Sequence, residues 1–218
     1  MPRRLPVYLL IDTSASMMGE PITAVTNGIG MLVSALRSDP QALEVASLSV
    51  ITFDNEARVA EPLADLMDFQ EPTLQAKGST MMGAGLSLVV DRVKAEVNLG
   101  TVGQEGVKAV RGDWRALLFI MTDGAPSDLD EFERGIARLK EVKFGQIVAC
   151  AAGPHANETE LLKITQKENV FKLANADKAG FAAFFKFVSD SVQTRSKSNN
   201  PNDECTLGPL PDELSPVS

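Results

Sequence analysis

Histidine, cysteine and basic residues are all scarce in this chain, and each scarcity excludes a class of function. One histidine and two cysteines in 218 residues rule out a disulfide framework and a cysteine–histidine zinc site. Cys150 lies in the apolar stretch Gln146 to Gly153, where a small buried thiol is expected, and Cys205 stands in a polar stretch far along the chain. His155, in Gly153-Pro-His-Ala-Asn157, is expected to be a loop residue. Lysine and arginine number 21 against 29 acids, for a net charge of −8. With no basic stripe to offset phosphate repulsion, nucleic acid is excluded as a partner. No apolar run is long enough to span a membrane. Arg3-Arg4-Leu5 resembles the start of a secretory signal, but Asp12 interrupts the apolar run early and no small-residue cleavage site follows. A reduced, cytoplasmic protein with no membrane contact is the expectation.

What is present is an ordinary globular composition, 44% hydrophobic and 23% charged, in a chain long enough for one full core. Val7 to Ile11, Leu48 to Phe53, Ala116 to Thr122 and the Cys150 stretch are short unbroken apolar runs that read as buried strands. Amphipathic helices separate them. Ile22, Val25, Ile29, Leu32, Val33 and Leu36 share one face after Pro21, and a second helical pattern runs from Gly83 to about Val97. Ser127 is expected to cap a helix carrying Phe132, Ile136 and Leu139. A helix is expected from about Glu158, then a short strand Val170 to Leu173, then a last helix carrying the core stripe Phe181, Phe184, Phe185 and Val188. Arg58 to Leu63 contains a proline and follows a tight Asp54-Asn55-Glu56 link, so an antiparallel edge strand is expected there. The Gly100–Gly112 connection is expected to be mobile, and residues 196–218 to be a disordered polar tail after a domain of residues 1–195. Unbroken strands alternating with helices predict an α/β fold: a mostly parallel, doubly wound sheet covered on both faces.

In such sheets function gathers at the carboxyl ends of the strands. Asp12, Ser14 and Ser16 follow the first strand, Thr122-Asp123-Gly124 follows a later one, and Lys77-Gly78-Ser79-Thr80 ends just before a helix. Taken alone, Asp12 with its serines fits a capped turn as well as a ligand set. Together the three loops supply two carboxylates and several hydroxyls, with no histidine or cysteine. Oxygen-only ligation suits a hard divalent cation. The set is too small for a full calcium cage and fits Mg²⁺, with Mn²⁺ or Ca²⁺ as substitutes. Two carboxylates roughly neutralise the ion and leave it electrophilic toward an acidic side chain from a partner protein, or toward a phosphate. Thr13 reads as a spacer, and Asp54 as a turn residue or a contact behind the ligands.

These residues carry a family resemblance. Asp12-Thr-Ser14-Ala-Ser16, Thr80 and the Thr122-Asp123-Gly124 turn resemble the metal-ion-dependent adhesion site of von Willebrand factor A domains, and the likeness covers roughly Arg4 to Thr194. Within that superfamily, Gly19 to Ile22, Ser38 to Glu44, Ser49 to Asp54 and Gly112 to Trp114 are similar to the TerY-like proteins of bacterial tellurium resistance. The resemblance implies a three-layer fold with a six-stranded sheet and one antiparallel edge strand. It implies ligation by the hydroxyls of Ser14, Ser16 and Thr80, with Asp12 and Asp123 often acting through water. It also implies a serine/threonine kinase and a PP2C-like phosphatase as partners. Some relatives carry a cysteine-rich metal-binding tail, which Cys205 alone does not reproduce.

Two further expectations concern the same edge. Met17-Met18-Gly19 and Met81-Met82-Gly83 repeat beside the two hydroxyl loops. Core packing accounts for such methionines; the alternative is that Met18 and Met81 form a soft apolar rim where a partner docks. Phosphorylation at Ser14, Ser16 or Thr80 would place an anion on a ligand position, and Ser196 and Ser198 are alternative targets expected to be easier to reach. An enzymatic alternative is a Mg²⁺-dependent phosphohydrolase with Asp12 as nucleophile. The residue two positions on is Ser14, where such enzymes carry a second acid, and no matching lysine motif follows. A Gly-Lys-Ser/Thr phosphate loop is missing, and Gly28-Ile-Gly30 lacks the third glycine of a dinucleotide turn and lies within a helical pattern. The expectation is a metal-dependent interaction module, not an enzyme, acting in tellurium resistance or stress response.

Overall fold

The computed structural model describes residues 3–98, 100–101, 110–153, 156–173, 175–198 and 207–217. His155, Cys205 and the middle of the Gly100–Gly112 connection lie outside the described residues. In chain order the elements are β1 (Leu5–Asp12), α1 (Glu20–Ser38), α2 (Pro40–Val45), β2 (Ala46–Phe53), β3 (Ala57–Asp65), α3 (Met82–Glu96), β4 (Gly100–Thr101), β5 (Val110–Arg111), β6 (Leu117–Thr122), α4 (Leu129–Leu139), β7 (Gln146–Ala151), α5 (Glu158–Ile164), β8 (Val170–Leu173), α6 (Lys178–Ser196) and β9 (Leu214–Pro216). Short 3-10 turns cover Ala15–Met17 and Lys167–Asn169.

The main sheet runs β3-β2-β1-β6-β7-β8-β9. Its five inner strands pair in parallel, and both edge strands are antiparallel to their neighbours. β4 and β5 form a separate two-stranded pair. Strand alternation divides the core into two layers. Val7, Leu9 and Ile11 of β1 face the side covered by α1 and α6, while Tyr8 and Leu10 face the side covered by α3 and α4. Each fully buried side chain of this size contributes about 1.5–3 kcal/mol. α1 and α6 meet at Gly28, where a Cβ would come within 2.1 Å of the Phe185 ring. Gly28 therefore lies within a helix, as its pattern predicts, and serves there as a packing residue.

Two expectations need correction. The sheet has seven strands with two antiparallel edges, not six with one, because the end of the chain returns to the sheet. Residues 207–217 are ordered where a disordered tail is expected: Leu214 pairs with Leu173, Ser215 with Lys172 and Pro216 with Phe171. Leu214 and Val217 are buried, and the Gly208 N–H donates to Ser191 Oγ at 2.9 Å. Two apolar residues suffice to dock a strand on an open edge, and a composition averaged over the whole tail conceals them. α2 is a further helix that the sequence pattern does not announce. Asp39 caps it by accepting from the Gln41 and Ala42 N–H groups.

Candidate metal centre

β1 and β6 are neighbours in parallel register, with Ile11 opposite Met121. One step on, Asp12 and Thr122 lie side by side and point to the same face. Thr122 Oγ1 donates to Asp12 Oδ2 at 2.6 Å, and the Ser14 N–H donates to Asp12 Oδ1 at 2.8 Å. Asp12 is fully buried. Burial holds its carboxyl above the usual carboxylate range, against the hydrogen bonds from Ser14 and Thr122, and the Asp123 charge pushes it the same way as burial.

From Asp12 a line of oxygens runs outward. Ser14 Oγ and Ser16 Oγ share a hydrogen bond of 3.0 Å, and Ser16 Oγ donates to Asp123 Oδ1 at 2.7 Å. Ser14 is buried and Ser16 exposed, so the line leads from the core to solvent. Thr80 joins from the third loop. A Cβ placed on Gly124 would stand 3.2 Å from Thr80 Oγ1, so the Thr80 hydroxyl lies against the Asp123-Gly124 turn.

The loops are held by backbone and side-chain bonds in which the five candidate ligands take little part. Thr13 donates both its N–H and its Oγ1 to the Phe53 carbonyl, while its own carbonyl accepts from Lys77 N–H. The Ala15 N–H donates to the Gly78 carbonyl at 3.0 Å. Asn55 Oδ1 accepts from Ser79 N–H, and the Asp54 carbonyl accepts from Met81 N–H. The Asp54 carboxylate closes its own turn by accepting from Glu56 N–H and Arg58 Nη1. Burial pushes its pKa up, but the Arg58 and Glu56 bonds prevail and hold it below the usual range.

Ser127 corrects another expectation. It does not cap α4; its Oγ accepts from Thr80 N–H at 3.1 Å, and its N–H donates back to the Thr80 carbonyl at 2.9 Å. Asp128 occupies the cap position of α4, yet its carboxylate accepts from Gly83 and Ala84 N–H at the start of α3. One acid thus caps a helix from another part of the chain, complementing the positive end of its dipole. Gly83 makes this approach possible, since a Cβ there would fall 2.2 Å from the Phe132 backbone nitrogen. Asp128 supports the site without having stood out in the sequence, and Thr122, Ser127 and Asn55, read there as parts of a turn, a cap and a link, support it through contacts the sequence did not show. Only knowledge of which strands and helices adjoin would have singled them out.

The remaining expected site residues are placed as follows. Met17 and Met82 are in the core, whereas Met18 is 61% exposed and Met81 half-buried, so neither rim candidate is sequestered. Ser196 is the last residue of α6, is buried, and donates its Oγ to the Gln193 carbonyl; it is not the accessible tail serine expected. Ser198 follows the helix and is half-buried.

The donor set fits a hard divalent ion. It consists of carboxylate and hydroxyl oxygens, and two acids that repel each other would both be relieved by a cation. Among the described residues no group of three or more histidine, cysteine or acidic side chains is arranged to hold a metal, so an ion bound here would need hydroxyl ligands as well.

The chain belongs to the von Willebrand factor type A domain family, whose model matches residues 7–186. It is 31% identical over 131 residues to an uncharacterized protein of Synechocystis sp., covering 56% of this chain and 26% of that one. The chain thus spans about a quarter of the length of that curated relative. Among solved structures it is similar in fold to a von Willebrand factor type A protein from Catenulispora acidiphila, with TM-score 0.66 and 18% identity over 88% of this chain and 43% of that one. The proximal thread matrix protein 1 of the mussel byssus, with a zinc-occupied MIDAS motif, aligns with TM-score 0.55 and 18% identity over 86% of this chain and 48% of that one.

Proposed function

We propose that this domain binds Mg²⁺ through Ser14, Ser16 and Thr80, with Asp12 and Asp123 completing the site directly or through water, and uses the ion to capture a carboxylate of a partner protein. The observation that carries this reading is the hydrogen-bonded line from buried Asp12, through the Ser14 N–H and the Ser14 and Ser16 hydroxyls, to Asp123. Bound there, the ion would supply an electrophilic coordination position facing solvent. The chain's own residues do the rest: Thr122 and the Ser14 N–H orient Asp12, the Ser127 pair fixes Thr80, and Met18 and Met81 offer an apolar rim beside the exposed end. Zinc occupies the equivalent motif of the mussel protein. The absence of nitrogen and sulfur donors among the five candidate residues here favours Mg²⁺.

Interaction rather than catalysis is the role VWA domains generally play. Both Asp12 oxygens are engaged, and Ser14 replaces the acid that an aspartyl-phosphate enzyme needs. The similarity to TerY-like proteins extends the proposal to a cytoplasmic role in tellurium resistance or stress response, with a serine/threonine kinase and a PP2C-like phosphatase as partners. Exposure ranks the candidate phosphorylation residues, because Ser16 is exposed while Ser14 and Ser196 are buried.

Thermal melts in EDTA and in millimolar Mg²⁺, Mn²⁺ or Zn²⁺ test the site. Ligand at about 100-fold above Kd adds roughly 2.7 kcal/mol of stability when only the folded state binds. The Mg²⁺ shift is expected to vanish in Asp12→Ala and to shrink in Ser16→Ala, whose exposed position spares the fold. No shift with any ion, including in the presence of excess acetate, overturns the reading.

A further inference from the structure

The opposite edge of the sheet carries a second concavity of different character. A groove of about 430 Å³ opens where β6 and β7 begin and α4 and α5 end. Leu139 and Ile164 form its buried floor, with Phe144 and Ile147 half-exposed above them. Arg115, Lys140 and Lys143 stand at its rim, all exposed. Among the described residues no aspartate or glutamate lines it. Among the described residues none of the three cations takes part in an ion pair, although many other basic side chains do.

Helix-dipole complementarity accounts for Lys140 at the end of α4. It does not account for Arg115, which comes from the entry to β6, nor for the missing carboxylates in a chain of net charge −8. The groove walls are fixed: Gly145 N–H donates to the Ala116 carbonyl at 2.8 Å, and Thr165 Oγ1 to the Ile147 carbonyl at 2.9 Å. A rigid apolar floor under unpaired cations is complementary to an apolar side chain flanked by acids.

We propose that this groove is a second docking surface, which takes an acidic segment of a partner protein carrying a bulky apolar side chain between its carboxylates. The apolar group sits against Phe144 and Ile147, and the carboxylates meet Arg115, Lys140 and Lys143. A flat lipid surface cannot reach the floor of such a concavity. Phosphate polymers and a second copy of this acidic chain are disfavoured by the charge of the rest of the domain. Arg115 stands seven positions before Thr122, the last residue of β6, so at roughly 3.3 Å per residue the two ends lie about 23 Å apart. The domain would thus hold partners at both ends of its sheet, and only one end would need a metal.

The test is a titration of the isotope-labelled full chain, followed by NMR, with a synthetic octapeptide that has Phe-Leu at its centre and acidic residues on both sides. Amide shifts are expected at Arg115, at 139–147 and at 164–169. Affinity is expected to fall about tenfold or more in the charge-reversed variant R115E/K140E/K143E, in the same direction but less in Arg115→Gln, and also when glycines replace the central Phe-Leu. EDTA and Asp12→Ala are expected to leave this binding unchanged, so its failure and that of the metal site are separable. Shifts at the metal edge, binding indifferent to charge reversal, or no binding at millimolar peptide would overturn the proposal. So would adsorption to phosphatidylserine vesicles, or self-association, that the charge-reversed variant abolishes.

Discussion

Thr122 Oγ1 donates to Asp12 Oδ2 at 2.6 Å across two adjacent parallel strands, joining residues 110 positions apart in the chain. Both groups are buried, so the bond has no solvent to replace it. Thr122→Val keeps the shape and removes the donor, leaving a buried carboxylate oxygen short of a partner. A loss of about 1–3 kcal/mol is expected in urea unfolding, with Thr122→Ser recovering most of it. Equal losses in the two variants would show that packing, not the hydroxyl, matters there.

Gly83→Ala drives a methyl group into the Phe132 backbone of α4, and backbone cannot step aside as a side-chain tip can. The start of α3 would have to leave the Asp128 carboxylate and carry Thr80 with it. About 1–3 kcal/mol of destabilisation is expected from such overpacking, together with a weaker Mg²⁺-induced rise in melting midpoint. An unchanged Mg²⁺ response in a destabilised protein would separate the helix contact from the site.

Asp113 ties the entry of β1 to the segment before β6. Its Oδ2 accepts from Arg4 Nη2 at 2.8 Å and from Asn98 N–H at 2.9 Å. Burial pushes the Asp113 carboxyl up, but the Arg4 and Asn98 bonds outweigh it and the folded-state pKa is lowered. A lowered folded pKa contributes stability that is present above the unfolded value and is lost as pH falls through the folded one. Stability measured by denaturant unfolding should therefore decline on acidification below the ordinary aspartate range. Asp113→Asn should be less stable at neutral pH and should show a flatter acid limb. Parallel profiles for the two proteins would refute this assignment.

Met18 is 61% exposed beside the oxygen line. Met18→Glu is expected to alter the melting midpoint by no more than about 0.5 kcal/mol equivalent, while reducing Mg²⁺-dependent partner capture by adding a charge at the rim. Undiminished capture by this variant would remove Met18 from the docking surface.

Removal of residues 207–218 takes away β9 and uncovers the edge of β8. Leu214 and Val217 together bury enough apolar surface for about 3–6 kcal/mol at the usual transfer values, as an upper bound. A lower melting midpoint and a tendency to aggregate through the open strand edge are expected, measured by calorimetry and light scattering. A truncated chain as stable and monodisperse as the full one would show that β9 is only an appendage.

Much of this domain was legible in the sequence because its signals are local. The apolar runs at Val7 to Ile11 and Ala116 to Thr122 became β1 and β6, and the helix stripe from Ile22 to Leu36 became α1. The Asp54-Asn55-Glu56 link gave an antiparallel β3. The strand-end rule drew Asp12, Ser14, Ser16, Thr80 and Asp123 to one edge before any contact was known. The element assignments depend on residues within a turn or two of one another, where periodicity and turn chemistry act, and the gathering of the three loops follows from the fold class those elements imply.

Only the tertiary structure decided what lies across gaps in the chain. Parallel register set Thr122 on Asp12, the meeting of α3 and α4 at Gly83 turned Asp128 into the cap of another helix, and an open edge at β8 recruited Leu214. Such pairings depend on strand order and on the close approach of elements distant in sequence, which no local pattern encodes. The sequence by itself determined which oxygens gather at the edge of the sheet, and packing determined how they are held.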